Sequence, residues 1–201
     1  MARCFWKAAP VLPADLAARL RKIALKQDTD FLDMPHTVTE GGGFVETLHT
    51  ETGKPRSRSS NRPYTSRWAT GYGHATHADT ARLCCERYRQ LAESHPDLAL
   101  RYRAMVIAAA KQYLESDPPT SAVPGALAAA VDLMLDTGEL TKDAAYLNKA
   151  ESFADAGMRL FLDDGLPLPK AATGLEHYET ITGGPAFMAV LLRLHEELTS
   201  R

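Results

Sequence analysis

The chain has 201 residues, a formal net charge of −2 and 45% hydrophobic residues, which is sufficient for one domain with a substantial core. This charge balance argues against a strongly basic protein of the kind that binds nucleic acid through its overall charge. No run of about 18 apolar residues is present, so we expect no transmembrane helix and no membrane partner.

The cysteines indicate the compartment. The chain has three, an odd number, and Cys84 and Cys85 are adjacent and too constrained to form an easy disulfide with each other. Thiols of this kind are usually small apolar core residues in a reducing compartment. The N-terminal residues show no long apolar segment, so no signal peptide is expected. We therefore expect a cytoplasmic protein, or a periplasmic one if the natural N-terminus is truncated.

The N-terminal third is mostly irregular. Residues 13–26 predict a helix, because Leu16, Leu20, Ile23 and Ala24 form one apolar stripe. Residues 28–75 follow as a long irregular segment. Within it, three glycines separate two short alternating runs that favour a small hairpin, residues 37–39 and 44–48. A polar loop over residues 54–62 carries several basic side chains. Irregular connections of this length are uncommon in compact domains unless they have a function.

From Thr76 onward the sequence is almost entirely helical. Thr76 and Asp79 have the spacing of a capping box, which predicts a helix start. Gly138 is a suitable C-terminal residue for a helix. Breaks at prolines and glycines divide this part of the chain into five predicted helices, residues 76–93, 97–116, 122–137, 142–163 and 185–198.

These helices alternate in character. Residues 126–135 and 186–194 are apolar nearly all round, which predicts burial on every side, whereas the helices over 97–116 and 142–163 are amphipathic. The order predicts antiparallel helical hairpins in two layers, with inner helices covered by outer ones. By alternation the helix over 76–93 is also inner, yet Arg82, Glu86, Arg87 and Arg89 make it more polar. Either it lies at an open end of the array, or its polar face meets another group.

The C-terminal part resembles a known family. Residues 135–139 (LDTGE), 146–150 (YLNKA) and 161–169 (FLDDGLPLP), followed by Gly183-Gly184-Pro185 before an apolar helix, resemble the repeating hairpins of (α/α) toroid proteins, the six-hairpin glycosidases and related polysaccharide lyases. The resemblance covers at most residues 76–198. It implies an all-α, partial (α/α) toroid-like array with an irregular N-terminal third, residues 1–75, in one helical domain over residues 1–201.

A complete ring of this family has twelve helices, whereas this sequence predicts six. The chain therefore resembles the C-terminal half of such a toroid, a shortened relative, or a helical-hairpin protein of another kind. The family's catalytic acids have no matching motif here.

The alternation also predicts where a site lies. If the helices over 76–93, 122–137 and 185–198 are parallel inner helices, their N-termini share one rim, and helix N-termini favour anionic groups. The loops that lead into them are residues 67–75, 118–121 and 176–184. In the toroid enzymes the substrate cleft lies at a funnel mouth of this kind, which is what the resemblance implies.

The side chains of these loops suggest three readings. A polysaccharide lyase needs a base and a cation that neutralises a uronate carboxylate, and the candidate catalytic residues are Tyr72, His74, His177 and Tyr178. A glycoside hydrolase needs two carboxyl groups, for which Glu176 and Glu179, with Asp79, are the candidates. The candidate substrate-binding residues are Arg67, Trp68, His77, Arg58 and Arg62. In the third reading the aromatic rings pack in the core and the histidines are solvated.

Other partners are less favoured. His74 and His77 are spaced for a metal, but the predicted helix begins between them, so no metal or other cofactor is expected. The basic loop lacks the interleaved aromatic residues of a nucleic-acid site. We expect a saccharide substrate, and either self-association or a second chain that completes the toroid. The alternative function is a non-catalytic helical-repeat scaffold that binds a protein partner.

Overall fold

The computed structural model describes residues 2–57, 63–71, 73, 75–162 and 167–200, with the backbone alone for Arg3. Within these ranges the protein has seven α-helices and no β-strand, which confirms the predicted all-α class. The helices are α1 (Ala2–Ala8), α2 (Ala14–Leu32), α3 (His77–Leu91), α4 (Pro96–Leu114), α5 (Pro124–Thr141), α6 (Ala144–Phe161) and α7 (Gly184–Thr199).

Residues 37–48, all of which the structure describes, form no hairpin of the predicted kind. Residues Val38–Glu40 form a turn of 3-10 helix, and Gly41 ends it with a φ of 83°. The prediction is wrong because the alternation is too short to form a ladder, and only isolated bridges occur nearby, such as Val45 with Tyr64. The turn is instead attached to α4, where the Gln112 side-chain amide donates to the carbonyls of Val38 and Gly42 at 3.2 and 3.0 Å.

The helix boundaries follow the predicted signals in part. The Thr76–Asp79 capping box is present at the start of α3, as predicted. Gly138 does not end α5, which continues to Thr141 and stops at Lys142 in the left-handed region. A side chain at Gly138 would lie 3.5 Å from Cβ of Tyr146 in α6. Gly138 therefore lies inside α5, at a point where α5 and α6 pack closely. Helix α5 ends three residues later, at Thr141.

Consecutive helices pair in antiparallel fashion. The start of α3 lies at the end of α4, since the backbone N–H of Ala78 donates to the hydroxyl of Tyr113 at 3.2 Å. In α5 and α6, Gly138 lies against Tyr146 and Leu127 lies near Gly157, which is the order of an antiparallel hairpin. Helix α4 also packs on α5 and on α2, and α6 on α4 and α7.

Helices α3, α5 and α7 lie side by side and parallel, with α5 between the other two. The ion pairs of α3 and α5 run in the same order along both helices: Arg82 pairs with Asp132, and Arg89, two turns later in α3, pairs with Asp136, one turn later in α5. The polar face of α3 therefore does meet another group, namely the acids of α5. A further cation of α3, Arg87, pairs with Asp28 of α2.

Helix α7 differs from the prediction. Its apolar sequence predicts burial on every side, yet only Gly184, Phe187, Val190 and Leu194 are buried. Leu192 is 66% exposed on the opposite face. The helix is half-covered because no helix of the described chain packs on that face.

The buried side chains of α2 to α7 form one continuous hydrophobic core. One cluster of buried apolar side chains extends from Leu32 at the end of α2 to Leu194 in α7, with Tyr113, Phe153 and Phe161 among its largest members. Among the described residues, none of the helices is long and apolar enough to cross a membrane.

Candidate functional site

The N-terminal ends of α3, α5 and α7 line one pocket of about 220 Å³, which we call the mouth. The segment before α3 contributes Gly71, Gly73 and Thr76, and α7 is preceded there by Ile181 and Thr182. The lead-ins to the three parallel helices thus meet at one place, as expected from the alternation of helix types. The loops over residues 67–77 and 176–184 therefore lie at the same end of the molecule.

Hydrogen bonds between loops hold the mouth together. The backbone N–H of Val123, just before α5, donates to the carbonyl of Ala69 at 3.1 Å. Ala122 and Thr173 exchange bonds, with the N–H of Thr173 donating to the Ala122 carbonyl at 3.1 Å and the Thr173 hydroxyl accepting from the Ala122 N–H at 3.1 Å. Ala69, Val123, Ala126 and Ala172 form a small buried cluster beneath these bonds. Three separate stretches of chain are therefore fixed against one another.

The electrostatic character of the mouth comes from helix ends. Asp79 is engaged in the capping box, where its carboxylate accepts from the backbone N–H and the hydroxyl of Thr76 at 2.8 and 2.7 Å. Neither Val123 nor Gly183, the residues that precede α5 and α7, caps its helix with a side chain. Pro124 and Pro185, in the first turns of these helices, have no N–H, and the N–H of Ala126 donates to the Val123 carbonyl at 3.1 Å. The other first-turn N–H groups have no side-chain acceptor from their cap residues, and such groups favour an anion.

A ladder of ion pairs lies along α3, α5 and α7 beyond the mouth. Asp132 accepts from Arg82 at 2.6 Å and from Arg193 at 2.8 Å. Asp136 accepts from Arg193 at 2.9 Å and from Arg89 at 3.2 Å. Burial alone would lower the pKa of Arg193, but Asp136 and Asp132 more than offset it, so the pKa is raised. The ladder therefore consists of permanently charged, paired groups, and Arg82 is the member that also lines the mouth.

The predicted residues of the loop before α7 lie beside the mouth, outside its lining. The ring of His177 bonds to the carboxylate of Glu179 through Nε2 at 2.8 Å, and both side chains are accessible to solvent. Glu176 pairs with Lys170 at 3.3 Å. The Tyr178 hydroxyl accepts from the Thr180 hydroxyl at 3.1 Å, and its ring packs beside Gly184 at the start of α7. The loop thus presents an oriented imidazole next to a carboxylate.

Arg67 and His77 face a second, polar pocket of about 560 Å³ between the irregular segment and the end of α4. Tyr64, Gln112 and Glu115 also line it. The exposed Arg67 side chain donates to the carbonyl of Gln112 at 3.5 Å. The stretch that leads into α3 therefore serves two pockets, with its glycines at the mouth and its Arg67 and His77 at the other.

Trp68 lies between these pockets and packs into the core. Its ring meets Tyr113 edge to face at 5.1 Å and Phe153 at 5.3 Å between ring centroids. It is only partly exposed, so most of its ring surface is used in packing. For this residue the structure supports the reading in which the aromatic ring is part of the core.

His77 is buried and held by the backbone. It is 6% exposed, its Nε2 donates to the carbonyl of Thr65 at 2.7 Å, and its Nδ1 has no partner among the described residues. A carbonyl can only accept, so this bond fixes the tautomer with the proton on Nε2. Burial lowers the pKa of His77, and the charge of Arg67 lowers it further, against the opposing effect of the Thr65 carbonyl. The ring is therefore neutral near pH 7.

Four of the predicted site residues, Tyr72, His74, Arg58 and Arg62, lie outside the described residues. The ion-pair ladder was not predicted from the sequence. The signal for it is present: Asp132 and Asp136 stand four residues apart on an otherwise apolar helix, and Arg82 and Arg89 stand seven apart on α3. Both spacings bring side chains to one helix face.

Comparison of this chain with models of protein families, with curated proteins and with solved structures gives no match.

Proposed function

We propose that this protein is carbohydrate-active and processes an acidic, uronate-containing saccharide at the mouth, within a partial (α/α) toroid. The observation that carries the proposal is the meeting of three helix N-termini in one pocket beside the His177–Glu179 pair. Backbone N–H groups at two uncapped helix starts favour a carboxylate, which is the group that distinguishes a uronate from a neutral sugar.

The His177–Glu179 pair supplies the base. With Nε2–H donating to the Glu179 carboxylate, the other ring nitrogen, Nδ1, carries a lone pair and can take a proton. The carboxylate holds the ring in one orientation and stabilises the imidazolium that forms. In a lyase reaction such a base removes the proton beside the uronate carboxylate, and the electron pair of that C–H bond forms a carbon–carbon double bond as the bond to the leaving sugar oxygen breaks. The imidazolium can return its proton to that oxygen, which leaves as a hydroxyl group and restores the neutral base.

The carboxylates near the mouth favour a lyase over a glycoside hydrolase. A hydrolase uses one carboxyl group as an acid and a second as base or nucleophile. Glu176 pairs with Lys170, Glu179 bonds to His177, and Asp79 caps α3. Each of these acids therefore already has a partner, which leaves the imidazole as the group that can exchange a proton.

The test is a screen of uronate-containing polysaccharides, read by the ultraviolet absorbance of the unsaturated product. His177→Ala should lower the rate by about 100-fold or more, the usual contribution of a general base. His195→Ala is the matched control, because His195 is an exposed histidine on α7 away from the mouth. Equal rates for both variants would remove His177 from the reaction. Release of reducing ends from neutral glycans, without the absorbance, would favour a glycoside hydrolase.

The second candidate is a non-catalytic scaffold, and one observation favours it. The open face of α7 carries Leu192, 66% exposed, and Ile181, 68% exposed, lies just before this helix. A second chain that continues the helical array would bury such a face. Sedimentation analysis of the protein and of Leu192→Glu tests this, with Leu100→Glu on α4 as control. Under the scaffold proposal, only Leu192→Glu dissociates an assembly.

A further inference from the structure

A separate pocket of about 550 Å³ opens between the first four helices, and we call it the α1–α4 pocket. It shares no lining residue with the mouth. Its walls come from each of the four helices and from the residue that follows α2 by two positions, Met34. The volume lies well within the range of small-molecule sites and is several times the ~150 Å³ that suffices for benzene.

The lining of this pocket is mainly apolar. Phe31 and Met34 lie on one side, and Leu83 and Cys84 of α3 lie on the other. Phe31 stacks on Tyr102 at 5.9 Å between ring centroids, which fixes one wall. Leu83 is 48% exposed and lines the pocket, so its side chain is accessible to a ligand there.

The polar groups in the lining include a buried ion pair that is already satisfied. The carboxylate of Asp28 accepts from Arg87 through both oxygens, from Tyr102 at 2.9 Å and from Trp6 at 3.2 Å. A carboxylate has about four acceptor positions, so these four donors fill them. The guanidinium of Arg87 is held in addition by Gln90 and lies over the Trp6 ring. The charges of this pair compensate each other, and the carboxylate has no vacant position for a ligand.

We propose that the α1–α4 pocket binds a neutral, largely hydrocarbon small molecule. An ionic ligand that paired with Asp28 or Arg87 would have to displace a partner from this pair, which costs the desolvation of both buried ions. The other charged residue of the lining, Asp30, already pairs with Lys26 at 2.6 Å. A neutral apolar ligand instead covers Phe31, Met34 and Leu83 and leaves the pair intact. The pocket therefore selects a neutral ligand, because its shape fits an apolar molecule and its charged groups are already paired.

The test uses two fluorophores of similar size, the neutral N-phenylnaphthylamine and the anionic anilinonaphthalene sulfonate. The neutral probe should bind saturably to one site and about tenfold more tightly than the anion. Trp6 and Trp68 are the two tryptophans. Trp6 contacts the ion pair of the pocket, whereas Trp68 packs against Tyr113 and Phe153 and does not line the pocket. Because energy transfer falls steeply with distance, transfer to the probe should be reduced more in Trp6→Phe than in Trp68→Phe.

Leu83→Gln should weaken binding of the neutral probe about tenfold, because it replaces an apolar side chain of the pocket wall by a polar amide. Glutamine is chosen over glutamate because a carboxylate at position 83 would stand four residues from Arg87 and compete for it. Leu100→Gln is the matched control, a leucine 60% exposed on α4 and outside the pocket. A second measurement needs no substitution, since Cys4 lines the pocket and its labelling by a thiol reagent should be slowed by the bound probe.

Four results would overturn the proposal: no saturable binding, tighter binding of the anionic probe, equal effects of Leu83→Gln and Leu100→Gln, or energy transfer that is reduced more by Trp68→Phe than by Trp6→Phe. None of these bears on the saccharide proposal, because the mouth and the α1–α4 pocket are lined by different residues.

Discussion

Gly125 and Gly183 lie in direct backbone contact at the mouth. A Cβ added to Gly183 would lie 2.5 Å from Cα of Gly125 and 2.8 Å from its nitrogen, both closer than any ordinary contact. Gly183 also has a φ of 89°, in the left-handed region. The contact joins the first turn of α5 to the residue before α7, so this close approach of two helix starts requires glycine at position 183. A Cβ added to Gly125 would make a less severe contact, 3.0 Å from the Thr182 carbonyl oxygen.

Gly183→Ala should therefore lower the free energy of unfolding by about 2–5 kcal/mol, combining backbone strain with overpacking. Gly174→Ala separates the two effects. Gly174 has nearly the same φ, 83°, but nothing lies within 4 Å of its added Cβ, so only the strain of about 1–2 kcal/mol remains. Urea denaturation of both variants gives the comparison. Equal losses would mean that the contact with Gly125 adds nothing.

Much of the helical fold could be predicted from residues 76–198 because its signals are local. The capping box at Thr76 and the periodicity of apolar residues fix where helices lie and which face is buried. Helix α1 was beyond such reasoning, since its seven residues are too few for a stripe and Trp6 is held by Asp28 in another helix. Gly138 lies inside α5, which continues to Thr141, and it packs close to Tyr146 of α6, a tertiary contact that is not visible in the local sequence.

The site was predictable in its location more than in its side chains. Parallel inner helices bring together the loops that precede them. This placement can be predicted from the order of buried and amphipathic helices alone. Which residues of those loops face the pocket depends on tertiary contacts: Trp68 turns into the core against Phe153, and His77 turns toward the Thr65 carbonyl. Tryptophan and histidine at positions 68 and 77 suggest ligand binding from their residue types alone. Tertiary packing instead places both side chains away from the mouth.

Removal of one partner from the buried Asp28–Arg87 pair should be costly. Asp28→Asn leaves the Arg87 guanidinium buried without its counter-ion, and we expect a loss of about 3–5 kcal/mol in the free energy of unfolding. Asp30→Asn is the control on the same helix. Its pair with Lys26 is well exposed, so that variant should lose less than about 1 kcal/mol. The two variants can be compared by thermal or urea unfolding, and similar losses would contradict a special role for burial.

The three cysteines should differ sharply in reactivity. Cys4 is exposed, whereas Cys84 and Cys85 are buried. Burial raises the pKa of Cys84, and burial with the charge of Asp136 raises that of Cys85 to about 11, so both stay as thiols near neutral pH. A thiol reagent at pH 7 should label one cysteine per chain rapidly in the native protein and all three in denaturant. Mass spectrometry of the labelled peptides distinguishes them, and rapid native labelling at Cys85 would count against this packing of α3 on α5.

His36 should make the protein sensitive to mild acid. Its Nε2 donates to the Phe31 carbonyl at 3.0 Å, while its Nδ1 accepts from the backbone N–H of Val45 at 3.0 Å. A proton on Nδ1 would point at the backbone N–H of Val45. It would therefore break the hydrogen bond between Val45 and His36. Burial lowers the pKa of His36 from its ordinary value of 6.5, despite the opposing effect of the Phe31 carbonyl. The neutral ring is therefore the form that the fold requires, as it is for His77.

The sign of the pH dependence follows from these lowered pKa values. Below pH 6.5 the unfolded chain takes up protons before the folded chain does, so stability is fully present above that pH and is lost as the pH falls toward the folded pKa values. Each histidine changes the free energy of unfolding by at most about 1.4 kcal/mol per pH unit in that window.

Urea unfolding between about pH 7.5 and pH 5.5 should show this slope. His36→Gln should reduce the slope, because a glutamine amide can donate to the Phe31 carbonyl and accept from the Val45 N–H without titrating. His77→Gln should remove a further part of the slope. A free energy of unfolding that stays constant or rises toward pH 5.5 in the unsubstituted protein would contradict the burial of these two neutral rings.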